Sequence, residues 1–112
     1  MDKIQVYFVS DGTGLSTEQL GKSILIQFPD IDFEYKTIPF VNTLKKAQAL
    51  VKIIKQEPSS MVFSTLVYDE LNEPFDCGDF FYINFLKQTI KQIEEITNFK
   101  SVQIMGLDYR FG

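Results

Sequence analysis

Side-chain chemistry concentrates in two hydroxyl-rich segments of this chain. They are Ser10-Asp11-Gly12-Thr13-Gly14-Leu15-Ser16-Thr17 and Ser64-Thr65-Leu66-Val67-Tyr68-Asp69. In the first, glycines let backbone N–H groups turn toward an anion with no Cβ in the way, and a following helix N-terminus adds partial positive charge. The hydroxyls of Thr13, Ser16 and Thr17 are candidate donors to phosphate oxygens. Asp11 is a candidate magnesium anchor, usually through water, beside such a phosphate. A plainer reading stands next to this one. Asp-Gly and Thr-Gly are common turn dipeptides, Ser16 can serve only as a helix cap, and Asp11 can simply bond the loop backbone. Ser64 and Thr65 can likewise be ordinary strand residues. The spacing of the first segment matches neither G-x-G-x-x-G nor the Walker pattern.

Composition narrows the chemistry. The 112 residues suit one domain, and 45% hydrophobic residues, with 11 Phe and no Trp, supply a core. Fifteen acids against 11 bases give a net charge of -4, which disfavours a nucleic acid or an anionic membrane as partner. No histidine is present, so a Ser-His-Asp triad, a Cys-His pair and His-containing zinc sites are excluded within this chain. The single cysteine, Cys77, cannot form an internal disulfide and reads as an inert thiol. The apolar runs are too short to cross a bilayer, and the N-terminus does not resemble a signal peptide, so a cytoplasmic location is the default expectation.

The two segments need elements to hold them. Ile4 to Val9 reads as a buried strand, followed by the glycine loop and a helix with Ser16 as N-cap, Gln19 completing a capping box, and Leu20, Ile24, Leu25 and Phe28 on one apolar face. Phe33 to Phe40 has strand composition. Asn42 then caps a second helix carrying Leu44, Ala47, Val51 and Ile54, and Pro58-Ser59-Ser60 ends it. Met61 to Val67 is a third strand, Asp69 to Phe75 a short helix or turn, and Asp79 to Phe85 a fourth strand. A third amphipathic helix carries Ile90, Ile93 and Ile96. Val102 to Met105 is a candidate last strand before Gly106, and Leu107 to Gly112 reads as a tail. Alternation of strands and helices predicts a three-layer α/β domain spanning residues 1–112, with a mainly parallel sheet of four or five strands. In such a sheet ligands bind outside the carboxyl ends of the strands, where both hydroxyl-rich segments fall.

The motifs themselves resemble a known family. Val9-Ser10-Asp11-Gly12-Thr13-Gly14, Thr17-Glu18 and Leu20-Gly21 are similar to the opening of the bacterial phosphoenolpyruvate synthase regulatory proteins. Phe33-Glu34, Thr37-Ile38-Pro39-Phe40-Val41 and Val62-Phe63-Ser64-Thr65-Leu66-Val67 follow in the same order at similar spacing, so the likeness runs from about Ile4 to Ile96. The Asp-Gly-Thr-Gly form resembles the synthase-directed branch rather than the branch acting on pyruvate, phosphate dikinase. The resemblance implies a bifunctional serine/threonine kinase and pyrophosphorylase. Such a protein uses ADP to phosphorylate a threonine of phosphoenolpyruvate synthase and removes the phosphate with inorganic phosphate, releasing pyrophosphate. It also implies a C-terminal nucleotide P-loop in a protein more than twice this length. No such loop occurs here, and Gly21-Lys22-Ser23 sits inside the first helix without the preceding loop. The expectation is therefore the N-terminal domain alone, from a truncated or split product, and inactive by itself.

Within that reading Asp11 and Thr65 are the candidate catalytic residues, with Asp11 as base or metal anchor. Gly12, Thr13, Gly14 and Thr17 are the candidate phosphate-binding residues. Two other classes stay open. A flavodoxin-like electron carrier would place FMN phosphate on a similar Ser/Thr/Gly loop, although Asp11 brings a negative charge toward it. A noncatalytic binding or dimerisation module, including a homodimer, is the third.

Overall fold

The structure, a computed structural model, describes residues 3–57 and 59–105. The expectations for Pro58, Gly106 and the tail from Leu107 to Gly112 lie outside the described residues.

Four parallel strands form one sheet in the order β2-β1-β3-β4: β1 Ile4–Val9, β2 Phe33–Ile38, β3 Met61–Ser64 and β4 Phe81–Asn84. β1 and β3 are central and covered on both faces, which accounts for their nearly unbroken apolar sequence. Helices α1 (Leu15–Leu25), α2 (Leu44–Ile54), α3 (Asp69–Asn72) and α4 (Lys87–Thr97) connect and follow them, with a 3-10 turn at Glu73–Phe75. The chain steps one way along the sheet from β1 to β2 and the other way from β2 to β3 and β4. Right-handed crossovers therefore put α1 on one face and α2 with α3 on the other.

The core divides accordingly. On the α2 face Tyr7, Val9, Val62 and Leu66 pack with Ala47, Leu50, Val51, Ile54, Leu71 and Phe75. On the α1 face Val6, Phe8 and Phe63 pack with Leu25. The three layers expected from the sequence are thus present, with four parallel strands.

Local details differ from the sequence reading. Helix α1 starts at Leu15 behind a left-handed Gly14 (φ 89°), so Ser16 lies inside the helix and does not cap it. Its buried stripe is Thr17, Gly21 and Leu25; Leu20, Ile24 and Phe28 stay exposed. The reason is Phe8, whose ring lies against Gly21 so closely that a Cβ there would sit 2.1 Å from Phe8 Cε1. A small residue buries this stripe where apolarity alone points to its neighbours. Helix α2 is capped by Thr43, whose hydroxyl accepts from Lys46 N–H at 3.2 Å, while Asn42 Oδ1 accepts from the Lys46 ammonium. β3 ends at Ser64 and β4 begins at Phe81. Val102 to Met105 form no strand, with Val102 exposed and Gln103 at φ 53°.

Candidate functional site

The carboxyl ends of β1 and β3 are adjacent, and both hydroxyl-rich segments leave the sheet there. The β1 loop is anchored from two sides. Ser10 N–H donates to Ile38 O at 3.1 Å, while Val41 N–H donates to Ser10 O and Phe40 N–H to Gly12 O, both at 2.8 Å. These bonds tie the loop to the β2–α2 connection, which turns at Phe40 with φ 58°. Ser10 Oγ accepts from the Gly12 N–H at 2.9 Å, closing a tight turn inside the loop. Gly14 then takes its left-handed conformation with Thr37 alongside, leaving no room for a Cβ, which would lie 2.6 Å from Thr37 Cγ2. Gly14 is thus required by the loop's own geometry.

The β3 segment meets this loop through side chains. Thr65 N–H donates to Val9 O at 3.2 Å, extending the sheet register by one residue. The hydroxyls of Thr17 and Thr65 are 2.8 Å apart, both buried, and join the first turn of α1 to the end of β3. Asp11 Oδ2 accepts a long 3.4 Å bond from Val67 N–H. Asp11, Gly12, Gly14, Thr17 and Thr65 therefore converge at the point where the strand order reverses, with Thr13 at the rim.

The burial pattern separates their chemistry. Ser10, Asp11, Gly12, Gly14, Thr17 and Thr65 are buried, whereas Thr13 and Ser16 are half-buried and Leu15 is exposed. Thr13 Oγ1 accepts from Leu15 N–H at 3.4 Å. An arriving anion would meet Thr13 and Ser16 first, at the start of an 11-residue helix. Glu18 sits on the β2 side of this helix start, bound by Lys22 at 2.7 Å and by the Thr37 hydroxyl at 2.9 Å. The Lys22 and Thr37 bonds hold its carboxyl below the usual range. Among the described residues no group of three His, Cys, Asp or Glu side chains could hold a metal ion.

A second polar cluster lies next to the first, and Ser64 is its member within the hydroxyl-rich segments read from the sequence. Ser64 Oγ and the Tyr82 hydroxyl are 2.7 Å apart, Tyr82 donates to Asn72 Oδ1, and Asn84 Nδ2 donates to Asn72 Oδ1 and Leu66 O, both at 2.7 Å. Asn84 Oδ1 in turn accepts from the N–H groups of Leu86 and Lys87 at the start of α4. Burial pushes the Tyr82 hydroxyl up to about 12, against the opposing pull of its Ser64 bond. The one available signal was two asparagines, Asn72 and Asn84, among apolar neighbours. A 560 Å³ cleft beside this cluster is bordered by Tyr82, Asn84, Lys87 and Lys91. It lies under α4, which buries none of its residues.

Comparison with known proteins decides the family. The kinase/pyrophosphorylase family model matches residues 6–111, nearly the whole chain. The chain belongs to the kinase/pyrophosphorylase family. The match continues to residue 111, beyond Ile96 where the motif likeness ended. A protein of Laribacter hongkongensis is 37% identical over 113 residues, covering 89% of this chain and 41% of the relative. One from Alkalilimnicola ehrlichii is 37% identical over 106 residues, covering 90% and 38%. One from Desulfotalea psychrophila is 30% identical over 104 residues, covering 90% and 38%. All three carry the provisional name phosphoenolpyruvate synthase regulatory protein. The chain thus spans about two fifths of the length of these family members, corresponding to their N-terminal part. Among the described residues no helix is long and apolar enough to cross a membrane.

Proposed function

We propose that this chain is the part of a phosphoenolpyruvate synthase regulator that carries the phosphate-facing crevice at the ends of β1 and β3. In the whole protein that crevice would serve transfer of a phosphoryl group from ADP to a threonine of the synthase, and its removal by phosphorolysis giving pyrophosphate. The observation that carries the reading is the convergence of the Asp11–Thr17 loop and Thr65 at the reversal point of a parallel sheet, the usual ligand position in this architecture. Phosphoryl transfer is served mainly by positioning and charge neutralisation, so a site without histidine is chemically sufficient. In this assignment Thr13 and Gly14 lie nearest the phosphate. Thr17 and Thr65 hold the loop in place from beneath. Asp11 accepts the proton of an attacking hydroxyl or anchors magnesium, which would keep most of its ligands as water and phosphate oxygen. The bond from Val67 N–H to Asp11 Oδ2 is long and therefore weak, and a carboxylate can keep it while accepting elsewhere.

The chain alone is expected to be inactive, because it contains no Gly-x-x-x-x-Gly-Lys-Ser/Thr loop for the nucleotide. The test is an amide NMR titration with phosphate, pyrophosphate, ADP and FMN, each with and without magnesium. Saturable shifts at Thr13, Gly14 and Ser16 with phosphate or pyrophosphate support the crevice as a phosphate subsite. A response to FMN alone would transfer the site to the flavin-binding reading. Flat spectra with every ligand would remove the phosphate role from this part of the protein.

A further inference from the structure

The two faces of the sheet are covered unequally. A helix is about 10 Å across and strands are spaced about 4.8 Å apart, so one helix shields roughly two strands. Four strands therefore need two helices on each face. Among the described residues the α2 face has α2 and α3 with the 3-10 turn, whereas the α1 face has α1 alone.

The position of α1 shows which half is bare. Glu18 and Lys22, on one flank of its buried stripe, reach Thr37 and Tyr35 of β2. Leu20 and Ile24 lie on the opposite flank by helical periodicity and so look toward β3 and β4. They are 47% and 41% exposed. On β4, Phe81 and Ile83 are in register with Met61 and Phe63, which places them on this same face, and they are 45% and 42% exposed. Phe63 is shielded by the ring of Phe85, stacked at 5.3 Å, and by Phe81 edge-on at 5.8 Å. The result is an apolar trough, with α1 as one wall and β4 as its floor, as wide as one helix.

We infer that this trough is the seat of an amphipathic helix supplied by the C-terminal part of the family protein, in the same polypeptide or on a second one. The family members matched here have about three fifths of their length beyond the shared part. Among the described residues no helix lies on the α1 face over β4, and one returning there would complete the layer. A crossover continuing outward past β4 stays on the α2 face, so the occupant must arrive after the chain has changed face. The inference rests on family membership and does not depend on the phosphate reading of the β1 loop.

Thiol protection tests it. In a Cys77→Ser background, which removes the exposed native thiol, Ile24→Cys and Ile83→Cys report on the trough. Gln48→Cys, exposed on α2, is the control. Alkylation rates are measured in the full 112-residue chain and in a chimera in which the C-terminal part of the L. hongkongensis relative follows it. Both trough thiols should be slowed at least about tenfold in the chimera, the change expected of an interface that stays closed most of the time, while Gln48→Cys is unchanged. Equal rates in the two proteins overturn the inference, as does slowing of all three thiols together. Concentration-dependent protection in the 112-residue chain alone also overturns it, because a second copy would then be the occupant.

Discussion

The hydroxyls of Thr17 and Thr65 meet at 2.8 Å in a site closed to solvent, joining α1 to β3 across 48 residues of sequence. Each is the other's partner, so removing one leaves a buried hydroxyl with a lost bond. Thr65→Val, close in shape, is expected to cost about 1–3 kcal/mol in urea unfolding. The double variant Thr17→Val/Thr65→Val should cost less than the sum of the singles, with a coupling of about 1 kcal/mol. Additive losses would show that the pair contributes nothing as a pair. Phosphate titration of the double variant then separates support from contact: a retained shift at Gly14 assigns both threonines to holding the loop.

The strands and the order of elements were legible because central parallel strands must be apolar on both sides, and Ile4–Val9 and Met61–Ser64 are. That the two hydroxyl-rich segments lie side by side was legible for a related reason, since both leave adjacent parallel strands at their carboxyl ends. Finer features depended on contacts remote in sequence. Gly21 is buried because Phe8 lies over it, and Leu20 and Ile24 are exposed because no helix among the described residues covers β4 on their face. A periodicity reading sees the apolar residues and assigns them to the core. The start of α1 moved from Ser16 to Gly14 because a left-handed glycine can turn the chain directly into the helix, a choice that composition does not reveal. The Ser64–Tyr82–Asn72 cluster joins three elements, so its pairing has no local pattern beyond the two asparagines among apolar neighbours.

Two glycines of the α1 segment are predicted to fail for separable reasons. Gly21→Ala drives a methyl into the Phe8 ring and should cost about 1–3 kcal/mol by overpacking. Phe8→Leu in the same chain should recover part of that loss. Gly14→Ala meets both the Thr37 methyl and a positive φ. Thr37→Ser removes the methyl and keeps the hydroxyl that holds Glu18. The pair Gly14→Ala/Thr37→Ser should therefore still be destabilised by the left-handed backbone, about 1–2 kcal/mol. Full recovery in that double variant would show that the clash, not the φ, fixes glycine at this position. Chemical denaturation of the four variants reads all of this out.

The buried tyrosines set the alkaline limit of stability. Tyr7 is pushed up to about 12 by burial, reinforced by its hydroxyl's 2.8 Å bond to the Glu57 carboxylate, and Tyr82 reaches about 12 by burial among Ser64, Asn72 and Asn84. An unfolded tyrosine ionises near 10, so between about 10 and 12 the unfolded chain has released protons that the folded chain keeps. Their stabilising contribution is fully present below about pH 10 and is lost as pH rises toward 12. Urea midpoints should hold steady through pH 9 and then fall, with the phenolate band at 295 nm rising as the protein unfolds. Tyr82→Phe should make the fall shallower, even though it weakens the cluster at neutral pH by leaving Asn72 and Ser64 short of a partner. An alkaline slope identical in Tyr82→Phe and the parent would mean that Tyr82 ionises freely in the folded protein, and that its cluster is open to water.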